Sequence, residues 1–344
     1  MALTLSNAIF CVSLPVLLAQ AHAMSGAARD APWRDAVSYR IPDDPLIKNR
    51  LQQSASWLVK HAPPLAIPGQ PKPVRLIAWK DPTLEPESPK LLAGYLITDT
   101  LWSAKALNLF DPILATEMEQ SLNRLGWYGN GLHDVLFHAI DKLRHRPSDR
   151  DIVHGDSLGR FPAPDGCVVD VRVFRQQWDA RFDVGHPAHF AEHAIYAALN
   201  DFWHGRAEPA RKRVLEVIAK AKAADQDRIF WDDQAGILVD YVNLRDWTDF
   251  HEGKRPVCRH FTFKLGVLLY ATRVLGMEND IGAPLRNMRR RLWSAQTESG
   301  GVAHYVDVQG DGKGTAGLEA TGEASAIAIL AEVVDPVRSG LPPR

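Results

Sequence analysis

The sequence predicts an all-α protein of helical hairpins with short β excursions. Helix-start signals recur: Asp44-Pro45, Ser88-Pro89 and Asp111-Pro112 each place a capping side chain before a proline at the first helical position. Apolar residues then follow at helical spacing, with short connections. Strand signals are few and local, which excludes a doubly wound sheet. Neither G-x-G-x-x-G nor G-x-x-x-x-G-K-[ST] occurs, so no nucleotide fingerprint is present.

In chain order, residues 8–19 are a mostly apolar run, of signal-peptide length and too short to span a bilayer. Ala21-His22-Ala23 places small residues at the −3 and −1 positions of a cleavage site. Residues 1–23 are therefore expected to be a signal peptide, and the protein to be exported to a periplasm or the extracellular space. No later stretch reaches the length of a membrane span. Residues 24–87 form a helix after Asp44 and a Pro-rich arm, with a short strand near Arg75. Residues 88–335 form the main domain. Helices are expected from Ser88 to about Leu109, from Pro112 to Leu125, from about Leu132, and over 187–204, 208–224, 260–276, 281–296 and 318–334. Cys167–Phe174 alternates valine with polar residues, as a strand does.

Composition narrows the function. The 344 residues carry a net charge of −1, 46% apolar and 24% charged residues, which is a soluble globular profile without the basic excess of a nucleic-acid binder. Removal of the leader would leave Cys167 and Cys258, either a single disulfide or two buried thiols.

Three helices end in an aromatic and a turn followed by a Gly-containing, strand-like stretch: Leu125-Gly126-Trp127-Tyr128-Gly129, Trp231 to Gly236, and Trp293 to Val302. Their irregular spacing fits helical hairpins of variable insertion stacked around a ring rather than a strict solenoid. The segment Leu292 to Tyr305, with Trp293, Gln296 and Gly300-Gly301, resembles the turn motif of the α/α-toroid superfamily. That superfamily holds terpenoid cyclases and protein prenyltransferases, and shares its architecture with six-hairpin glycosidases and polysaccharide lyases. Glu319 to Ser325 resembles the start of the closing hairpin of such folds. The resemblance implies an α/α toroid, a barrel of helical hairpins. The D-x-D-D acid motif of squalene-type cyclases is absent, and Asp232-Asp233 is too short to replace it.

The richest local constellation runs from Asp183 to His193. Beyond Pro187, the residues His189, His193, Tyr196, Asn200 and Trp203 share one helical face of imidazole, amide and aromatic groups, the lining expected of a wet cavity. The same residues read H-x-x-E-H, so the alternative is a zinc hydrolase with His189 and His193 as ligands and Glu192 as base. Tyr95, Asp99 and Trp102 form a second stripe, His260 and Lys264 a third, and Glu319 and Glu323 a fourth. Carboxylates and imidazoles supply general acid and base, and tryptophans near turns, among them Trp127 and Trp231, supply platforms for sugar rings. His304 and Tyr305 add the pairing that α/α-barrel lyases use, in which tyrosine protonates the leaving oxygen.

The expected function is thus a glycan-active enzyme, a polysaccharide lyase or glycoside hydrolase, without a metal or cofactor. Its catalytic residues come from His189, His193, Tyr305, Glu323 and Asp183. Its substrate-binding residues come from Tyr95, Asp99, Trp102, Trp127, Tyr196, Asn200, Trp203, Trp231, His260 and His304. The expected partner is a poly- or oligosaccharide, not nucleic acid or membrane. Besides the zinc hydrolase, a non-catalytic toroid binding module or a terpenoid-cyclase-like protein remains an alternative.

Overall fold

The structure, a computed structural model, describes residues 37–66, 70–77, 94–95, 97–124, 135–137, 156–162, 168–173, 191–224, 231–232, 237–238, 258–308, 314–316 and 320–336. The expected leader, the Ser88 cap, Trp127, Asp183, His189 and Glu319 lie outside them, as does Cys167. All described residues belong to the unit Asp35–Arg344.

Helix α1 (Pro45–Lys60) begins where Asp44 predicts: its carboxylate accepts from the N–H groups of Leu46 and Ile47 at 2.9 and 3.3 Å. Its buried stripe is Leu51, Ser54, Ala55, Trp57 and Leu58. The strands β1 (Pro64–Leu65) and β2 (Val74–Arg75) pair antiparallel across the Pro-rich arm. After β3 (Gly94–Tyr95) come α2 (Ile97–Leu107) and α3 (Pro112–Arg124). Asp111 caps α3 by accepting from Leu114 N–H at 3.0 Å.

The strands β4 (Asp156–Pro162) and β5 (Val168–Val173) pair antiparallel, and β3 joins β5 in parallel. Helices α4 (Ala191–Trp203) and α5 (Ala207–Ala224) then form a hairpin, followed by β6 (Trp231–Asp232) paired with β7 (Ile237–Leu238). Strand β8 (Cys258–Phe261) runs directly into α6 (Thr262–Val274), and α7 (Glu278–Ile281) and α8 (Ala283–Ser294) follow. Strand β9 (Tyr305–Val308) lies between β8 and β10 (Gly314–Ala316), antiparallel to both. Helix α9 (Gly322–Val333) closes the order, capped by Thr321, whose hydroxyl accepts from Ala324 N–H. The protein is mostly helical, as the sequence predicts.

Helix α9 packs against α1, α2 and α6, and α6 packs in turn against α4. The outer helices α3, α8 and α5 back α2, α6 and α4. The consequence for sequence is that α6 and α9 are apolar nearly all round, because each is surrounded by other helices. The two approach so closely that a Cβ at Gly266 would sit 2.6 Å from Ile327 Cγ2. Glycine at 266 permits that approach.

The turn after α8 is held by the residues that carry the sequence resemblance. Gln296 Nε2 donates to Arg50 O, Ser54 Oγ and Gly300 O at 2.9, 3.0 and 3.2 Å. Gly300 has φ +96°, and a Cβ there would lie 2.8 Å from Gln53 O. The turn is thereby fastened to α1. Trp293, a candidate sugar platform by its place beside a turn, is buried instead, and its indole N–H donates to Glu332 Oε1 at 2.7 Å. Glu332 also accepts from Arg289 at 2.6 Å. Burial opposes the Arg289 charge, but this bond and the Glu332 charge outweigh it and raise the guanidinium pKa.

Three expectations need correction. The helix predicted over 260–276 begins at Thr262. His260 is on β8, paired with Val306 of β9, so it shares no helical face with Lys264. Tyr95 belongs to β3, paired with Val171, and leaves the helical stripe of Asp99 and Trp102. The helix predicted over 281–296 is interrupted at Gly282, whose φ of +67° ends α7 and starts α8. In the first two cases pairing with a distant strand takes up backbone groups that local spacing would assign to a helix.

Candidate active site

The packed helices α2, α4, α6 and α9 each carry a charged group in the first turn: Asp99, Glu192, Lys264 and Glu323. These groups meet. Glu323 N–H donates to Asp99 Oδ2 at 3.2 Å, across 224 residues of chain. Lys264 Nζ pairs with Glu192 Oε2 at 3.1 Å. The N-terminal ends of α2, α4, α6 and α9 therefore converge at one end of the bundle. Carboxylates in first turns are favoured by the helix dipole, which offsets part of the repulsion between them.

The cluster is mostly sealed but not closed. Asp99 and the Lys264 side chain are 1% and 3% exposed, whereas the Glu192 side chain keeps 13% and Glu323 is partly accessible. Burial, and then the charges of Asp99 and Glu192, hold the Glu323 carboxyl well above the usual carboxylate range, and Lys264 opposes them only in part. Tyr196, one turn beyond Glu192, is buried. Burial and the charges of Glu323 and Glu192 push its phenol well above the ordinary value, so it stays neutral. The site thus holds a carboxyl whose pKa is raised, a lysine-paired carboxyl, a neutral phenol and a second buried acidic side chain. Two carboxyl groups in opposite protonation states are the requirement for general acid–base catalysis.

His304 and Tyr305 border this end. The Thr262 backbone N–H, at the start of α6, donates to His304 O at 3.0 Å, and the Thr262 hydroxyl donates to the same oxygen and to Ala303 O. The His304 ring stacks on Phe263 with centroids 5.8 Å apart. Both residues are partly exposed.

The other predicted residues fall elsewhere or outside the described set. Asp183, His189 and Trp127 lie outside it, and of His193, Tyr95, Trp231 and His260 only the backbone is described. Trp102 and Trp203 are 0% and 2% exposed and present no open ring face. Trp203 donates its indole N–H to Val135 O at 2.6 Å. Asn200 is buried beside it on α4, where Tyr196 of the same stripe and the apolar residues Ile195, Ala198 and Leu199 are also inside the protein. Helical spacing reads the same for a stripe that lines a cavity and a stripe that packs against another helix.

Sequence reasoning places neither Glu192 nor Lys264 in the glycan site, offering Glu192 only as the base of the zinc hydrolase and Lys264 only as a neighbour of His260. The signal was present, since each lies in the first turn of an apolar helix where a buried charge needs a partner. Among the described residues no group of three or more His, Cys, Asp or Glu is placed to hold a metal ion. Among them also, no helix is long and apolar enough to cross a membrane. No protein-family model, curated protein or solved structure matches the chain.

Proposed function

We propose that this protein is an exported glycoside hydrolase whose site is the convergence of helix N-termini at Asp99, Glu192, Lys264 and Glu323. The observation that carries this reading is the contrast between two carboxyl groups at the same helix ends: the Glu323 carboxyl is held well above the usual carboxylate range, while Glu192 lies 3.1 Å from the Lys264 ammonium. In hydrolysis, the Glu323 carboxyl gives its proton to the glycosidic oxygen as the bond from that oxygen to the anomeric carbon breaks. Glu192 takes a proton from the water that bonds to the anomeric carbon. Exchange with solvent then returns both groups to their starting states.

The packing order α2, α9, α6, α4, with α3, α1, α8 and α5 behind, supports an arc of helical hairpins of the α/α-toroid kind. Such an arc exposes the inner helix ends to a long substrate at one side. A pair of carboxyl groups favours hydrolysis over elimination, for which His304 and Tyr305 would be the acting pair.

The test is a panel of neutral and uronate-containing glycans incubated with the purified mature protein. New reducing ends from a neutral glycan, lost in Glu323→Gln and Glu192→Gln, are expected. An unsaturated product from a uronate polymer, lost in Tyr305→Phe but not in Glu323→Gln, would replace hydrolysis with elimination. Turnover that a chelator abolishes would point to the metal hydrolase.

A further inference from the structure

The Glu323 backbone is tied to a residue that no step of the proposed hydrolysis uses. Asp99 is 1% exposed, sits in the first turn of α2, and accepts the Glu323 N–H at 3.2 Å. Its carboxylate therefore faces the end of α9 from which the Glu323 side chain projects. A buried carboxylate here is costly unless it serves as acceptor or as charge. A neutral acceptor could take the Glu323 N–H as well, so the bond and the charge of Asp99 can be tested apart.

We infer that Asp99 is the positioning residue of this site: its bond to the Glu323 backbone fixes the first turn of α9, and its buried carboxylate, held beside that turn, acts on the Glu323 carboxyl. The inference rests on the hydrolase reading for the use of the Glu323 proton, but not for its location. The ionisable groups that act on Glu323 from the surrounding helices are Asp99 on α2, Glu192 on α4 and Lys264 on α6, with Tyr196 of α4 coupled to it in turn. Burial acts on Glu323 independently of all four. Of the two carboxylates, Glu192 has the Lys264 ammonium 3.1 Å away to offset its charge. Asp99 raises the Glu323 pKa more than Glu192 does.

The bond and the charge can be separated. Asp99→Asn keeps a side-chain oxygen that accepts the Glu323 N–H and removes the charge, whereas Asp99→Ala removes both. The full chain would be labelled with 13C at the glutamate carboxyl carbons, and its NMR signals followed against pH. Glu323 is assigned as the signal missing from Glu323→Gln. In Asp99→Asn the Glu323 midpoint should move to lower pH, with amide exchange at the start of α9 as slow as in wild type. In Asp99→Ala the same shift should appear together with faster exchange there. If Asp99→Asn does not fold, Asp99→Ser keeps a hydroxyl acceptor and is read in the same way.

An unmoved Glu323 midpoint in the folded Asn or Ser variant overturns the inference, and so does fast α9 exchange in wild type. Where a glycan substrate is found, Asp99→Asn should lower kcat on the alkaline side of the pH profile with KM little changed. A shifted midpoint without any glycan turnover leaves Asp99 in control of the Glu323 proton and removes the hydrolase reading alone.

Discussion

The pair formed by Lys264 and Glu192 gives the sharpest quantitative expectation. Two unit charges 3.1 Å apart interact by roughly 5 kcal/mol at the effective dielectric of about 20 that suits such sites. Much of this attraction is offset by desolvation, because Lys264 is 3% exposed and Glu192 13%. Truncating one partner removes the attraction and leaves the other charge in place. Lys264→Met is expected to cost about 3–5 kcal/mol. Glu192→Gln should cost less, about 2–3 kcal/mol, because the amide oxygen still accepts from the ammonium. The double variant should recover most of the loss and lie within about 1–2 kcal/mol of wild type, since neither partner is then left charged without the other. Urea unfolding of the four proteins, followed by circular dichroism at neutral pH, measures the cycle. Additive losses, or a Lys264→Met cost under about 1 kcal/mol, would refute the contact and with it the convergence of α4 and α6 at their N-termini.

Gly266→Ala should destabilise by about 1–3 kcal/mol, because the new methyl lies 2.6 Å from Ile327 Cγ2; Ile327→Ala in the same chain should return part of that loss in the same unfolding assay. Glu332→Ala should cost about 3–5 kcal/mol, since it strips Arg289, Arg273 and Trp293 of a common buried partner, and a thermal scan would detect it. Glu323 has a folded pKa above its unfolded value, so the unfolded chain loses that proton first as pH rises. Its contribution is therefore most favourable below the ordinary carboxyl range and falls as pH climbs toward the folded value. The melting temperature of Glu323→Gln minus that of wild type should accordingly grow with pH above that range, and a constant difference would contradict the raised value.

Local signals in the sequence located the elements whose causes are local. Asp44 and Asp111 cap the helices they were expected to cap, and the Val168–Val173 alternation is a strand. The failures have non-local causes. His260 and Tyr95 read as helical because their spacing allows it, but their backbones pair with Val306 and Val171, which lie 46 and 76 residues further along the chain. The site divides in the same way. Asp99 and Glu323 were singled out from their own helices, yet the bond between them spans most of the chain and leaves no trace in either segment. Lys264 and Glu192 each lie in the first turn of an apolar helix, which marks a charge in need of a partner, but the 72 residues between them hide which partner it is. Trp203 and Asn200 misled because an imidazole- and amide-bearing stripe on an apolar helix serves equally well for burial, as the Trp203 bond to Val135 O illustrates.

The central claim is that Glu323 supplies a proton to a leaving group while Glu192 activates water. The direct measurement is kcat/KM of wild type, Glu323→Gln and Glu192→Gln on one glycan and on an aryl glycoside of the same sugar, whose phenolate leaves without protonation. The account predicts that Glu323→Gln loses about 10²–10⁴-fold on the glycan and far less on the aryl glycoside, while Glu192→Gln loses activity on both. Equal losses of Glu323→Gln on the two substrates, or none on either, would contradict it.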